Sequence, residues 1–103
     1  MHPAIAEKRD AVAALCRRYG VRRLEVFGSA ARGHDFDPAR SDADFLVAFE
    51  KEAGLSALDQ FFGFAEALEE ILGRRVDLVD PSAIRNPYLR AAIDRSRELI
   101  YGA

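Results

Sequence analysis

Two aspartates stand one residue apart at the start of an apolar run. Asp42 and Asp44 lead into a segment, residues 44–49, whose composition is typical of a β-strand. In extended backbone, residues i and i+2 point to the same face, so the two carboxylates would lie side by side and repel each other. We expect a positive charge to neutralise them, and Mg²⁺ is a hard cation that takes such oxygen ligands.

A third carboxylate interrupts another apolar segment. Asp77 lies within Val76-Asp77-Leu78-Val79, where a buried and unpaired charge would cost several kcal/mol in order of magnitude. If the two strands are neighbours, the three carboxylates could converge on divalent metal and support phosphoryl chemistry. An alternative stays open in which Asp42 caps its strand, Asp44 is solvated, and Asp77 pairs with Arg75 or another arginine.

A glycine and a serine follow the first apolar strand. Gly28 and Ser29 end the predicted strand 21–27, and residues 30–32 could form one helical turn. Backbone N–H groups and a hydroxyl at such a turn can hold a phosphate, and Arg32 could add a bidentate contact. Each of these residues alone would more simply be a tight turn or a solvated arginine, so their combination carries the hypothesis.

Helical and strand periodicities alternate along the rest of the chain. They predict an αββαβα order, hence an α/β (α+β) fold in which a small mixed β-sheet is flanked by helices. A further short turn is expected at 82–85, after the Asp80-Pro81 start signal. The predicted helices are 3–19, 56–72 and 88–101, and the predicted strands are 21–27, 44–49 and 75–79.

The aromatic residues of the predicted helix 56–72 fall into two groups according to their spacing along the helix. Phe61 and Phe62 fall on the apolar stripe that contains Leu58 and Leu68, which predicts that they belong to the core. Phe64 falls off this stripe, which indicates either a partner surface or an edge contact.

Composition limits the classes of function. The chain has 103 residues, 15 Lys+Arg against 17 Asp+Glu, and one cysteine. We therefore expect a single domain over residues 1–103, with neither an internal disulfide nor a cysteine zinc cluster. The formal net charge of −2 gives no general attraction to a polyanion, so nucleic acid is not expected as a direct substrate. The absence of a long apolar run or a signal-peptide core predicts a cytoplasmic protein with no membrane partner.

Taken together, three segments resemble the minimal nucleotidyltransferases of the DNA polymerase β superfamily. They are Val26-Phe27-Gly28-Ser29-Ala30-Ala31-Arg32-Gly33, Ser41-Asp42-Ala43-Asp44-Phe45-Leu46-Val47 and Val76-Asp77-Leu78-Val79. The resemblance implies the nucleotidyltransferase fold and transfer of a nucleoside monophosphate from an NTP, with release of pyrophosphate. It also implies a nucleotide site that includes Gly28, Ser29, Arg32 and Ser41, and catalytic carboxylates that hold Mg²⁺, expected as two ions: Asp42, Asp44 and Asp77.

The resemblance extends to a partner. Many members of this family neutralise a HEPN-domain toxin by transferring AMP from ATP to one of its tyrosines, so it implies an antitoxin that can form a hetero-oligomer with its toxin. One departure from the family concerns the connection between the glycine turn and the aspartates. Twelve residues separate Ser29 from Asp42, about two more than is usual, and a surface loop absorbs such a change at little cost.

Two other functions remain open from the sequence. The chain could be a non-catalytic antitoxin that blocks its partner sterically, although a retained Asp77 within an apolar strand speaks against a vestigial site. It could also transfer a nucleotide to a small-molecule hydroxyl. Relatives of that kind use an additional helical domain to hold the acceptor, so a dimer or a partner would have to supply the pocket.

Overall fold

A computed structural model describes residues 2–28, 43–51 and 54–102. Four strands form one mixed sheet in the order β3-β2-β1-β4, and helices flank it, which confirms the predicted fold class. The strands are β1 Val21–Phe27, β2 Ala43–Phe49, β3 Val76–Val79 and β4 Glu98–Tyr101. The helices are α1 Pro3–Ala6, α2 Arg9–Tyr19, α3 Ala57–Leu72 and α4 Pro87–Asp94, with a 3-10 turn at Pro81–Ala83.

Strand pairing determines which side chains share a face of the sheet. β1 runs antiparallel to β2 and β4, whereas β2 and β3 are parallel. Phe27 pairs with Asp44, and Asp44 pairs with Asp77. Because directly paired residues point to the same side of a sheet, both aspartates lie on one face. They lie at the end of the sheet where β1 ends and β2 begins.

The opposite face of the sheet carries the main core. Its fully buried members come from β1, β2 and the two long helices, and α2 and α3 pack against one another over this face. The face that bears the aspartates is partly covered as well, since Leu46 on β2 and Ile93 on α4 are buried although neither belongs to the main core cluster. This two-sided burial explains the nearly continuous apolar sequence of β2.

Helix α3 has the predicted ends. The Ser56 hydroxyl accepts the backbone N–H of Asp59 at 3.1 Å, and Gly73 closes the helix in the left-handed conformation. The aromatic prediction was correct for Phe61, which is partly buried against the core. It was wrong for the other two residues, because Phe64 is fully buried while Phe62 is 59% exposed. Phe64 packs edge-on against Tyr19 and Phe49, so the buried stripe is rotated from the one that hydrophobicity alone favours.

The predicted first helix, 3–19, is two helices. The backbone leaves the helical conformation at Lys8, where φ is −99° and ψ is 6°. Ile5 before this break and Val12 after it are both buried, so the apolar periodicity continues across the interruption and conceals it. Within the described ranges, no helix is long and apolar enough to cross a membrane.

The predicted closing helix, 88–101, was wrong over its second half. Asn86 caps α4 by accepting the N–H groups of Tyr88 and Leu89, but the helix ends at Asp94. Residues Glu98–Tyr101 form β4 and pair with the middle of β1. A short apolar run is compatible with either structure, and here the open edge of β1 makes it a strand.

Candidate functional site

The turn after β1 packs directly on Asp44. Gly28 has a φ of +72°, a conformation that L side chains rarely adopt. A Cβ atom at this position would lie 3.0 Å from Oδ2 of Asp44. Glycine is therefore required here both by the backbone conformation and by the space that it leaves beside the carboxylate.

Asp44 and Asp77 are brought together by the parallel pairing of β2 and β3. They occupy directly paired positions, and Asp44 is half-buried while Asp77 is exposed. Within the described residues no ion pair joins Asp77 to Arg75, the arginine that the alternative explanation named first. The structure thus places two of the three predicted carboxylates on neighbouring strands and on the same face.

The remaining predicted site residues, Ser29, Arg32, Ser41 and Asp42, lie outside the described residues. In the ranges 2–28, 43–51 and 54–102, no three carboxylate, imidazole or thiol groups are arranged to hold a metal ion. The convergence of three carboxylates therefore stays a prediction. The described pair fits a hard divalent cation in its chemistry, because carboxylate oxygens are the preferred ligands of such an ion.

A residue from the α4–β4 connection supports the glycine turn. The backbone N–H of Gly28 donates to the hydroxyl oxygen of Ser96 at 3.0 Å. This N–H is therefore bonded within the protein, and the expected contact between phosphate and the other donors of the turn stays a prediction. The contribution of Gly28 is its conformation and its lack of a side chain.

A buried carboxylate lies on the same face of the sheet as the aspartates. Glu25 on β1 is 4% exposed and accepts two hydrogen bonds of 2.7 Å from the guanidinium of Arg97. Arg23 donates a third at 2.9 Å, and Arg97 also bonds to Asp94 at 2.7 Å. Chiefly because of the hydrogen bonds from Arg97, and against the effect of burial, the pKa of Glu25 is lowered to about 2.

Sequence reasoning missed Glu25, Ser96 and Arg97. The one local signal was the pair Arg23 and Glu25, whose i, i+2 spacing places both side chains on the same face of a strand. Arg97 lies 72 residues beyond Glu25 and Ser96 lies 68 beyond Gly28. The resulting contacts depend on β4 pairing with β1, which the predicted closing helix did not allow.

Two surface grooves of about 630 Å³ each lie elsewhere. One is lined by acidic and basic side chains of α3 and the segment that follows it, including Glu66, Glu70 and Arg74. The other is more apolar and includes Leu58 and Phe62, near the end of β2 that is opposite Asp44. Neither groove is lined by Gly28, Asp44 or Asp77.

Comparisons with known proteins identify the family of the chain. The family model of the nucleotidyltransferase domain matches residues 8–100. The protein adenylyltransferase MntA of Thermococcus cleftensis is 39% identical over 87 residues, which cover 84% of this chain and 80% of the relative.

Solved structures show the same fold. One that is provisionally described as a minimal nucleotidyltransferase is 38% identical, with a TM-score of 0.73 and 95% of each chain covered. A complex of a tri-AMPylated Shewanella oneidensis HEPN toxin with its MNT antitoxin is 19% identical, with a TM-score of 0.63 over 95% of this chain and 72% of the other. This second likeness concerns the fold alone. The chain belongs to the nucleotidyltransferase domain family, with the fold of the minimal nucleotidyltransferases, and is itself a nucleotidyltransferase.

Proposed function

We propose that this protein transfers AMP from ATP to a tyrosine hydroxyl of a HEPN-domain toxin, in a Mg²⁺-dependent reaction, and thereby acts as the antitoxin. The proposal depends mainly on one observation, the arrangement of three residues. Gly28 packs on the carboxylate of Asp44, and Asp44 is directly paired with Asp77 on the neighbouring strand. The 39% identity to a protein adenylyltransferase supports a protein acceptor. The Shewanella complex, whose toxin carries AMP, supports the class of partner.

In the proposed reaction the acceptor hydroxyl oxygen attacks the α-phosphorus of ATP. The bond from this phosphorus to the bridging oxygen breaks, and pyrophosphate leaves with the electron pair. Asp77, which is exposed and can be reached by an incoming hydroxyl, accepts the proton. Ser29, Arg32 and Ser41 hold the nucleotide beside the Gly28 turn, so positioning supplies much of the rate enhancement.

Asp42, Asp44 and Asp77 would hold the metal. Mg²⁺ bound there supplies positive charge that stabilises the attacking and leaving oxygens. Without it, the neighbouring carboxylates would repel both one another and the phosphates, so the acidic residues alone form a poor site for ATP.

The test uses the protein encoded beside this one, as the expected toxin, co-expressed with it and then purified for intact-mass measurement. We expect the toxin to gain one or more AMP units with the wild type and none with Asp42→Asn, Asp44→Asn or Asp77→Asn. Asp10→Asn is the matched control, since Asp10 is an exposed carboxylate on α2, which packs on the opposite face of the sheet. This variant should transfer AMP as the wild type does.

The other outcomes distinguish the alternative functions. If the two proteins co-purify and the toxin gains no mass with the wild type, the protein blocks its partner sterically. If there is neither gain nor association, the acceptor is to be sought among small-molecule hydroxyls or RNA ends. Unchanged transfer by Asp77→Asn alone would remove Asp77 from the catalytic set.

A further inference from the structure

Ser96 makes two hydrogen bonds that connect distant parts of the chain. Its hydroxyl oxygen accepts the N–H of Gly28 at 3.0 Å, and the same hydroxyl donates to the carbonyl of Ile93 in the last turn of α4 at 3.4 Å. The side chain is half-buried. The first residue after β1 is therefore attached to a segment almost seventy residues further along the chain.

The segment that carries Ser96 is itself held on β1. Arg97, the next residue, forms its paired hydrogen bonds to Glu25, and it also binds Asp94 on the other side of Ser96. Glu25 lies on β1, three residues before Gly28. The α4–β4 connection is thus fixed to β1 at two points, which gives the Ser96 hydroxyl a defined position relative to the turn.

Gly28 is consequently contacted from two directions. The Ser96 hydroxyl receives its N–H, while the carboxylate of Asp44 occupies the space where a side chain would project. We infer that Ser96 is a positioning residue for nucleotidyl transfer: its hydroxyl holds the Gly28 turn in the conformation that accepts the nucleotide phosphates. The inference rests on the proposed site, in which this turn borders the phosphates.

Removal of the hydroxyl should affect nucleotide binding more than the chemical step. In Ser96→Ala the turn has to be ordered when the nucleotide binds, so the KM for ATP should rise about fivefold, which is typical of one lost hydrogen bond. The kcat should change less than twofold, because the bound geometry is the same. Ser96→Thr retains the hydroxyl and should restore the KM.

Two further measurements do not depend on turnover. The Gly28 amide of the nucleotide-free protein should exchange its hydrogen about two- to tenfold faster in Ser96→Ala. The dissociation constant of α,β-methylene ATP, whose α,β bridge cannot be cleaved, should rise by the same factor as the KM. Ser82→Ala is the matched control, because it removes another hydroxyl, one that donates to Asp80 at the far end of β3, and it should leave all three quantities unchanged.

The results separate this inference from the function on which it rests. If the wild type binds the analogue and Ser96→Ala binds it equally well, or if Gly28 exchange is unaffected, Ser96 has no positioning role although the site stands. A wild type that does not bind the analogue would overturn both proposals.

Discussion

Gly28 has both an unusual backbone conformation and a direct contact with a predicted catalytic carboxylate, Asp44. Gly28→Ala would place a methyl group in a left-handed conformation and 3.0 Å from the Asp44 carboxylate. We expect it to lower the free energy of unfolding by about 1–2 kcal/mol and to abolish nucleotide transfer, because Asp44 must move. Urea denaturation and the toxin mass measurement would show the two effects.

Gly73→Ala is the control that separates the backbone strain of a left-handed alanine from the steric clash with Asp44. Gly73 has a φ of +66°, but a Cβ there would meet nothing within 4 Å. This variant should lose a similar amount of stability and retain transfer. If Gly28→Ala and Gly73→Ala transferred AMP equally well, the packing of Gly28 on Asp44 would not be needed for activity.

Glu25 predicts a pH dependence of stability. Its pKa is lowered from an ordinary 4.5 to about 2, so its stabilising effect is complete above about pH 4.5 and is lost as the pH falls towards 2. Glu25→Gln should therefore be less stable than the wild type at pH 7, by about 2 kcal/mol. The difference should shrink between pH 4.5 and 2.5 in urea denaturation; a gap that is constant with pH would mean that the charge of Glu25 is not what stabilises the fold.

The residues of the candidate site differ in how far sequence could predict them. Asp44 and Asp77 lie in apolar strand sequences, which singles them out locally, although Asp77 is exposed and its charge is therefore not buried as the sequence argument assumed. Ser96 and Arg97 form hydrogen bonds with residues about seventy positions away, and no local pattern distinguishes them from an exposed serine and an exposed arginine. Their roles became visible only with the pairing of β1 and β4.

At the scale of elements, the two faces of α3 give a direct comparison. Phe64→Ala should lower the free energy of unfolding by about 3–5 kcal/mol, since the ring is fully buried between Tyr19 and Phe49. Phe62→Ala should cost less than about 1 kcal/mol, because Phe62 is 59% exposed. Thermal denaturation of both variants would measure this difference.

If Phe64→Ala does not fold, the milder pair Phe64→Leu and Phe62→Leu can be compared instead. We expect Phe64→Leu to be less stable than Phe62→Leu. Equal losses at the two positions would contradict the orientation of the helix.

Elements with local start and stop signals were predictable. β1, β2 and α3 were predicted within one residue of their observed ends, because Gly20, Ser56 and Gly73 mark boundaries through their own backbone preferences. The break between α1 and α2 could not be predicted, because the apolar periodicity continues across it. Strand β4 could not be predicted either, because it forms only by pairing with β1. Tertiary contact, rather than local preference, decides both.

At the scale of the whole molecule, ligand binding should appear as stability. With Mg²⁺ and α,β-methylene ATP at about one hundred times the dissociation constant, the native state gains about 2.7 kcal/mol, which should raise the Tm of the wild type by roughly 10 °C. Asp42→Asn should show little of this shift. In EDTA it should be at least as stable as the wild type, because one of two neighbouring carboxylates is neutralised.

Differential scanning calorimetry with and without the metal would test both statements. A lower Tm of Asp42→Asn in EDTA would contradict the expected repulsion between the aspartates, and an undiminished shift with the nucleotide would place the metal elsewhere.

The pairing of β4 with β1 also bears on how the protein is made. β1 is an inner strand of the sheet, yet one of its two neighbours is formed by Glu98–Tyr101, and the partner of Gly28 is Ser96. During synthesis β1 leaves the ribosome about seventy residues ahead of both, with one edge unpaired in the meantime. Translation that stops before Ser96 would therefore yield a chain that already carries all three aspartates but lacks the hydrogen-bond partner of the Gly28 amide. The order of synthesis thus leaves the sheet one strand short, and Gly28 without Ser96, until the last residues of the sheet are made.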